Sequence, residues 1–479
     1  MRVVIIGNGV SGMEAALTVK NRRPDWEVTI VSEESDHFFS RTALMWVFTG
    51  QLSHRCIEPL ERDAYALKNL RRVRARATGI DVETRCVHLA GGLGPLPFDR
   101  LVIACGSRPR PGPWKGSDAT GIGHFVTMQD LEWLEKEIAG GPSRAGRPPR
   151  PDHHLKYSTD DSPYRPRPVA AEKRGHLGRK PAVIGGGLIG IEAIEVMVHR
   201  GLEPSFFIRE EWFWPMAIEE REATWITHRM SEHGVQVLLD HNVEEIETDE
   251  GGMVNAIRCD NGARFEADTV VIAIGVIPNT DWLQGGPVEL DRRGGIVVGP
   301  DLQTNIEGIY ACGDCAAVEW FDGSKRPEQL WYTGRDQGRV AGRAVCEERV
   351  TYARPIWYNS AKLMDIEYTM AGIVNMKVER EENWFYEEIG SVRSTTRIVV
   401  QDGRVIGFNL LGRRWDHEVL NQWIIERRTL EWVLDHLNEA NFDTEFVPPL
   451  KIPDAVKRQT LGPETPNPAI PGPNRFTFA

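Results

Sequence analysis

The sequence predicts an α/β chain made of two repeated three-layer units followed by a smaller α+β segment. Three observations carry this reading. The pattern G-x-G-x-x-G occurs twice, at Gly7, Gly9 and Gly12 and again at Gly185, Gly187 and Gly190. Each copy follows an apolar run of strand length and leads into a segment with helical spacing. Each unit then closes on a similar apolar strand, within 101–109 in the first and 268–279 in the second, so the chain echoes itself.

Residues 1–6 form the first predicted strand and 13–20 the helix after the glycine turn. Residues 181–184 and 191–199 repeat the same syntax. The first glycine closes the turn, the second lets backbone approach a pyrophosphate, and the third brings helix and strand together. The helix N-terminus supplies free N–H groups and positive dipole. Both units are therefore expected to be Rossmann-like dinucleotide sites. Glu33 lies 21 residues beyond Gly12, at the end of the strand 27–31, where a carboxylate can accept from a ribose.

The bulk composition needs no unusual class. The chain has 479 residues, 41% hydrophobic and 26% charged, enough for two or three domains with their own cores. A net charge of −12 argues against nucleic acid as the main partner. Seven scattered cysteines suit a reducing compartment better than a disulfide scaffold. The chain opens on a strand without a signal-like apolar core, and no run of 18 apolar residues occurs. The expected location is cytoplasmic, with no membrane contact.

The motifs come in a characteristic order: glycine turn, Ala104-Cys105-Gly106, second glycine turn, the G-x-x-P-N run beginning at Gly275, and Tyr310-Ala-Cys-Gly313-Asp314. This order resembles the two-dinucleotide-binding flavoprotein family that includes ferredoxin and rubredoxin reductases. The likeness covers residues 1 to about 345. It implies FAD at the first fingerprint, NAD(P)H at the second, and Asp314 on the flavin ribityl chain. Cys105, Gly106, Gly275 and Gly313 would line the cofactors. It also implies an FAD domain from 1–125 and 295–345, and an NAD(P)H domain from 126–140 and 181–294. A C-terminal interface domain would follow at 346–479, with dimerisation as its usual use.

An Asp at a strand-to-helix turn suits a polyol, and its alternative role is a helix N-cap. Thr42 stands where related reductases carry a single redox cysteine, and threonine cannot form a disulfide or persulfide. Cys312 and Cys315 have C-x-x-C spacing but flank the Gly-Asp turn, where close packing is the simpler explanation. No metal site is expected. The run 39–44 resembles the R-P-x-L-S-K helix of ferredoxin reductases, with Arg41 and Leu44 kept, but Trp46 replaces the lysine. By that likeness Glu192 is either an unpaired acid near the nicotinamide or pairs with Arg41, and Trp46 either shields the flavin or enters the core. Arg209 could grip a 2′-phosphate, whereas Glu210 and Glu211 would repel it, which favours NADH.

Residues 141–180 hold seven prolines, ten Lys or Arg and four acids, too little apolar surface for a core. This insertion is expected to be inert or a basic docking arm, and His153 and His154 within it are expected to be solvated. The basic run 68–76 would set Arg72, Arg74 and Arg76 on one wet strand face. Asp402-Gly403 signals a hairpin, 416–437 reads as helix, and the proline-rich 462–473 should wrap a surface or move. Val419, Leu420, Trp423 and Ile424 could form a membrane stripe, with burial the default.

The function expected from all this is an FAD-dependent NAD(P)H oxidoreductase, passing electrons to a protein carrier or small acceptor. Two alternatives stay open: a nucleotide-gated interaction protein with little turnover, and a peripheral membrane quinone reductase.

Overall fold

The computed structural model describes residues 1–139, 179–389 and 392–457. The insertion and the proline-rich end, with His153 and His154, lie outside the described residues.

The strand Arg2–Ile6 is buried on both faces after its first residue, as a β-branched run between two helical layers must be. It is central in a five-stranded sheet ordered Ile309–Ala311, Arg100–Ile103, Arg2–Ile6, Glu27–Ser32, Leu70–Arg74. Every pairing in that sheet is parallel. A second parallel sheet runs Gln236–Leu238, Ser205–Phe207, Pro181–Ile184, Thr269–Ile272, Ile122–Gly123. The crossing into this second sheet therefore comes before residue 125. A two-residue strand carries no periodicity, so it left no signal in the sequence.

The helix Val10–Arg22 packs on the helix Trp331–Val345 across a stripe of glycines. A Cβ on Gly338 would lie 2.3 Å from the Ser11 carbonyl oxygen, and one on Gly342 would lie 2.7 Å from Thr18 Cβ. Gly334, Gly338 and Gly342 recur every four residues, so one face of the helix is stripped to backbone. Asp314 is followed by the strand Ala316–Glu319, and the helix begins only at Trp331. The expected strand-to-helix turn at Asp314 is thus corrected: a β-branched, alanine-rich strand intervenes, and Asp314 caps no helix.

The C-terminal unit is a five-stranded antiparallel sheet ordered Tyr358–Leu363, Ile366–Gly372, Arg404–Leu411, Ser394–Gln401, Glu381–Glu388. Its hairpin turns at Asp402 and Gly403, with φ of 51° and 70°, the left-handed pair that a two-residue turn requires. The stretch read as one helix is two, His417–Ile425 and Leu430–His436, broken where Arg427 takes φ 54°. Leu420 and Trp423 are buried, and Val419 and Ile424 pack against the same core, so the apolar stripe faces inward. Among the described residues no helix is long and apolar enough to cross a membrane.

One hydrophobic core joins all three units at the future site. Phe39, Leu44 and Phe48 of the first unit meet Ile191, Ile194 and Met197 of the second and Leu363 and Tyr368 of the third. The short helix Leu44–Phe48 is thereby set against the helix Leu188–His199. The Arg200 guanidinium locks this contact, donating to the Phe48 carbonyl and lying 5.0 Å from the Phe48 ring centroid.

Candidate active site

The two glycine turns are built alike, atom for atom. Gly7 and Gly185 have φ of 115° and 122°, open chiefly to glycine. A Cβ would lie 1.9 Å from the Ala104 carbonyl oxygen at Gly7 and 2.4 Å from that of Ala273 at Gly185. Gly12 and Gly190 press on the carbonyl oxygens of Gly7 and Gly185 at 2.1 and 2.0 Å by the same measure. Gly9 and Gly187, which cap the two helices, have nothing within 4 Å of that position. Neither helix cap has a side-chain hydrogen bond. Each turn thus leaves a bare helix N-terminus facing open space, the shape and charge that a pyrophosphate fits.

Around the first turn, Glu33 is exposed just past the end of its strand, and its backbone carbonyl accepts from Arg74 Nε at 2.9 Å. Gly106 has φ 68° and its carbonyl accepts from the Asn279 N–H at 2.9 Å. Gly313 donates its N–H to buried Gln337 Oε1 at 2.8 Å. Asp314 accepts from Ser107 Oγ at 2.6 Å, and burial pushes its carboxyl up in spite of that bond. Ser107 and Gln337 were not foreseen. The glycine stripe beside Gln337 was the available signal.

Arg41 pairs with Glu34, not Glu192. Its fork donates to both Glu34 oxygens at 2.8 and 2.6 Å and to the Val126 carbonyl at 2.7 Å. Burial alone would raise the Glu34 carboxyl, but Arg41 and the Met128 N–H outweigh it and hold it low. With its fork filled, Arg41 is not available to Glu192, and that alternative is withdrawn. Arg41 also feels the Asp314 carboxylate. Trp46 is 38% exposed while Leu44, Val47 and Phe48 fill the core, so a core role for Trp46 is also withdrawn. The helix is only five residues long and its buried face is already taken.

Glu192 stands one turn into the second dinucleotide helix, partly buried, with no cation paired to it among the described residues. Burial raises it to about 7. Glu195, one turn on, is raised to about 8 by burial and then by Glu192, with Lys362 and the Met364 N–H pulling the other way. One of its carboxylate oxygens is buried without a partner. Nothing local in the sequence marks Glu195. Burial raises both carboxyls, and Glu195 faces Lys362, Met364 and Asp365 of the C-terminal unit.

At the far end of the second sheet, Glu210 accepts from Arg209 Nη2 at 2.7 Å. Arg209 is 73% exposed and Glu210 22%. Gly275, with φ 96°, accepts from the Arg110 N–H at 3.0 Å and brings the two units into register, as does the pairing of Val276–Pro278 with Ser107–Pro109. Thr42 makes only a 3.2 Å contact with Ser40. Cys312 and Cys315 are buried in the turn. Among the described residues no group of His, Cys, Asp or Glu is placed to hold a metal ion.

Two bare helix N-termini on two parallel sheets, with acids at the ends of the neighbouring strands, define a two-dinucleotide oxidoreductase. The family described as pyridine nucleotide-disulphide oxidoreductase matches residues 1–338, and the chain belongs to it. It is similar to a nitrite reductase [NAD(P)H] of Bacillus subtilis, 25% identical over 86% of this chain and 45% of that one. It therefore spans less than half of that relative. An NADH oxidase of Methanocaldococcus jannaschii is 25% identical over 86% of this chain and 88% of its own. Among solved structures, the covalent putidaredoxin reductase–putidaredoxin complex superposes with a TM-score of 0.72 at 21% identity, covering 89% of this chain and 93% of that one. The cofactors of the class are FAD and NAD(P)H.

Proposed function

We propose that this chain oxidises NADH and passes the electrons to a protein carrier or a small acceptor, without a cysteine at the position of Thr42. The observation that carries the reading is the matched pair of glycine turns at two helix N-termini, each open at its middle glycine. FAD at the first turn supplies acceptance of a hydride and its release as electrons.

The chain's own residues bind, orient and handle protons. Gly9 and Gly187 leave room for phosphate, and the helix N-termini behind them stabilise its charge. Glu33 and Asp314 accept from the hydroxyls of FAD, and Arg41 offsets negative charge nearby. Glu210 accepts from the adenosine ribose of NADH and disfavours a 2′-phosphate. Glu192 holds a proton between the two sites and Trp46 covers the outer edge. Residues 1 to about 121 with 295–345, and about 122–139 with 181–294, serve the two cofactors, and the C-terminal sheet serves a homodimer in the cytoplasm.

The test is stopped-flow mixing of flavin-saturated protein with NADH. Bleaching of the flavin band within seconds is the expected result. Bleaching slower than minutes would leave nucleotide-gated interaction as the better reading.

A further inference from the structure

Glu34 is the residue next to Glu33, yet its contacts run to the second nucleotide unit. The strand Glu27–Ser32 ends two residues before it, and the parallel pairing with Leu70–Arg74 sets Arg74 opposite Ser32. From there the Arg74 guanidinium reaches over the loop that follows. It donates to the carbonyl oxygens of Glu33 and Glu34, both at 2.9 Å, and lies 3.7 Å from the Asp36 carboxylate. A side chain of the first sheet thus holds the loop by its backbone.

The helix that Glu34 meets belongs to the second unit. Ile122–Gly123 pairs at the edge of the second sheet, and the helix Met128–Ala139 follows it. Leu131, Leu134 and Ile138 are buried in one core with Ile191, Ile194 and Met197 of the second dinucleotide helix. The first turn of Met128–Ala139 closes a capping box of its own: Asp130 Oδ2 accepts from the Thr127 N–H at 2.7 Å, and Thr127 Oγ1 accepts from the Asp130 N–H at 3.1 Å. The Met128 N–H, which that box leaves over, donates to Glu34 Oε1 at 3.0 Å. Gln129 Nε2 donates to the Glu34 carbonyl at 3.0 Å, beside the bond from Arg74. Arg41 closes the ring, with its fork on the Glu34 carboxylate and one arm on the Val126 carbonyl at 2.7 Å.

Apolar packing between the units, such as Phe39, Leu44 and Phe48 against Ile191, Ile194 and Met197, is non-directional and sets distance more than angle. Hydrogen bonds have preferred directions, so a ring of them on one residue fixes orientation as well. Hydride transfer is sensitive to both, because the reacting atoms must lie about 3–3.5 Å apart and aligned. We propose that Glu34, with Arg41 and Arg74, is a positioning residue of the reaction: this clamp ties the loop that carries Glu33 to the helix Met128–Ala139 and so sets the two dinucleotide units at the separation that hydride transfer requires. The inference rests on the oxidoreductase reading above.

Two measurements on the full-length, flavin-saturated protein test it. Before NADH is added, the Met128 amide should exchange hydrogen at least about tenfold faster in Glu34→Ala than in the parent. At saturating NADH the flavin of that variant should bleach about ten- to a hundredfold more slowly, the cost of a misplacement of about 1 Å, while the half-saturating NADH concentration and the FAD content stay within about twofold. Glu34→Gln keeps the shape and an acceptor for the Met128 N–H but removes the charge opposite Arg41. It should fall between the two, and it decides the matter if the alanine variant does not fold. Bleaching at the parent rate, an unchanged Met128 exchange rate, loss of FAD, or a raised half-saturating concentration with bleaching intact each overturns the proposal. Slow bleaching in the parent itself would instead strike the oxidoreductase reading, and this inference with it.

Discussion

Arg397 and Glu222 form an ion pair with both side chains 0% exposed, joining the C-terminal sheet to the second nucleotide unit at 3.2 Å. Glu222 serves twice: it also closes the capping box of the helix Glu220–Glu232 by accepting from the Glu219 N–H at 3.0 Å. Asn409 donates to both of its oxygens, and Arg397 reaches the Ala217 carbonyl at 2.8 Å and Asn375. Burial raises the Glu222 carboxyl, and Arg397 is the chief force against that. Breaking one side of such a pair strands a buried charge and costs about 3–5 kcal/mol. Arg397→Ala should lower the urea midpoint accordingly, and Glu222→Gln should lower it as well, because it leaves the Arg397 guanidinium buried with the more distant Glu219, 3.7 Å away, as a further carboxylate. Equal midpoints for Arg397→Ala and the parent would show that the network is not what holds the units together.

The glycines make a sharper prediction because position, not residue type, decides the outcome. Gly187 has φ −108° and open space, so Gly187→Ala should fold and gain about 0.5 kcal/mol from a stiffer unfolded chain. Its methyl group would occupy the phosphate approach. The KM for NADH should rise at least about tenfold, about 1.4 kcal/mol of binding, with FAD content unchanged. Gly9→Ala should do the reverse, lowering FAD content while leaving the fold. Gly12→Ala should not fold, since its Cβ would lie 2.1 Å from the Gly7 carbonyl oxygen. Thermal melts, flavin absorbance and steady-state kinetics on the three variants separate these outcomes.

What the sequence showed and what it hid divides along sequence distance. The glycine turns were legible because a phosphate-facing backbone tolerates few residues there, and the Asp402-Gly403 hairpin because its left-handed pair is local. Arg41 misled, since its partner was sought among residues near the nicotinamide while Glu34, only seven positions away, had the closer geometry. Arg397 sits mid-strand between Thr396 and Ile398, and nothing local indicates that a glutamate 175 residues earlier receives it. Asp314 was read with the wrong following element because Ala316–Glu319 is four residues long and too short to show a period. Glu195 was hidden by its own helix: at three residues from Glu192 it reads as one more surface acid until the third unit covers it.

Glu192 and Glu195 set a pH dependence whose sign follows from their burial. Their carboxyls lie at about 7 and about 8 in the folded protein, above the unfolded values. Between about pH 4.5 and 8 the folded chain binds more protons than the unfolded one, so stability falls as pH rises through that window. The melting temperature should decline from pH 5 to pH 8.5 beyond what the other carboxylates give. Glu195→Gln, which keeps the shape and removes the charge, should flatten the decline and raise stability at pH 8. A parallel decline in parent and variant would mean that both acids are ionised across the range.

Coenzyme choice rests on Arg209 and Glu210, which are paired with each other at 2.7 Å. A 2′-phosphate arriving there meets the Glu210 carboxylate, while the guanidinium that could receive it is occupied. A ribose hydroxyl meets an acceptor instead. Glu210→Ala removes the repulsion and frees Arg209, whose 73% exposure lets it turn to the ligand. The ratio of kcat/KM for NADPH to that for NADH should rise about tenfold or more, about 1.4 kcal/mol. Arg209→Ala should move the ratio the opposite way, and the double variant should fall between the two if the residues act on the same phosphate. An NADPH preference in the parent protein, or a ratio unmoved by Glu210→Ala, would place the selecting contact elsewhere in the second unit.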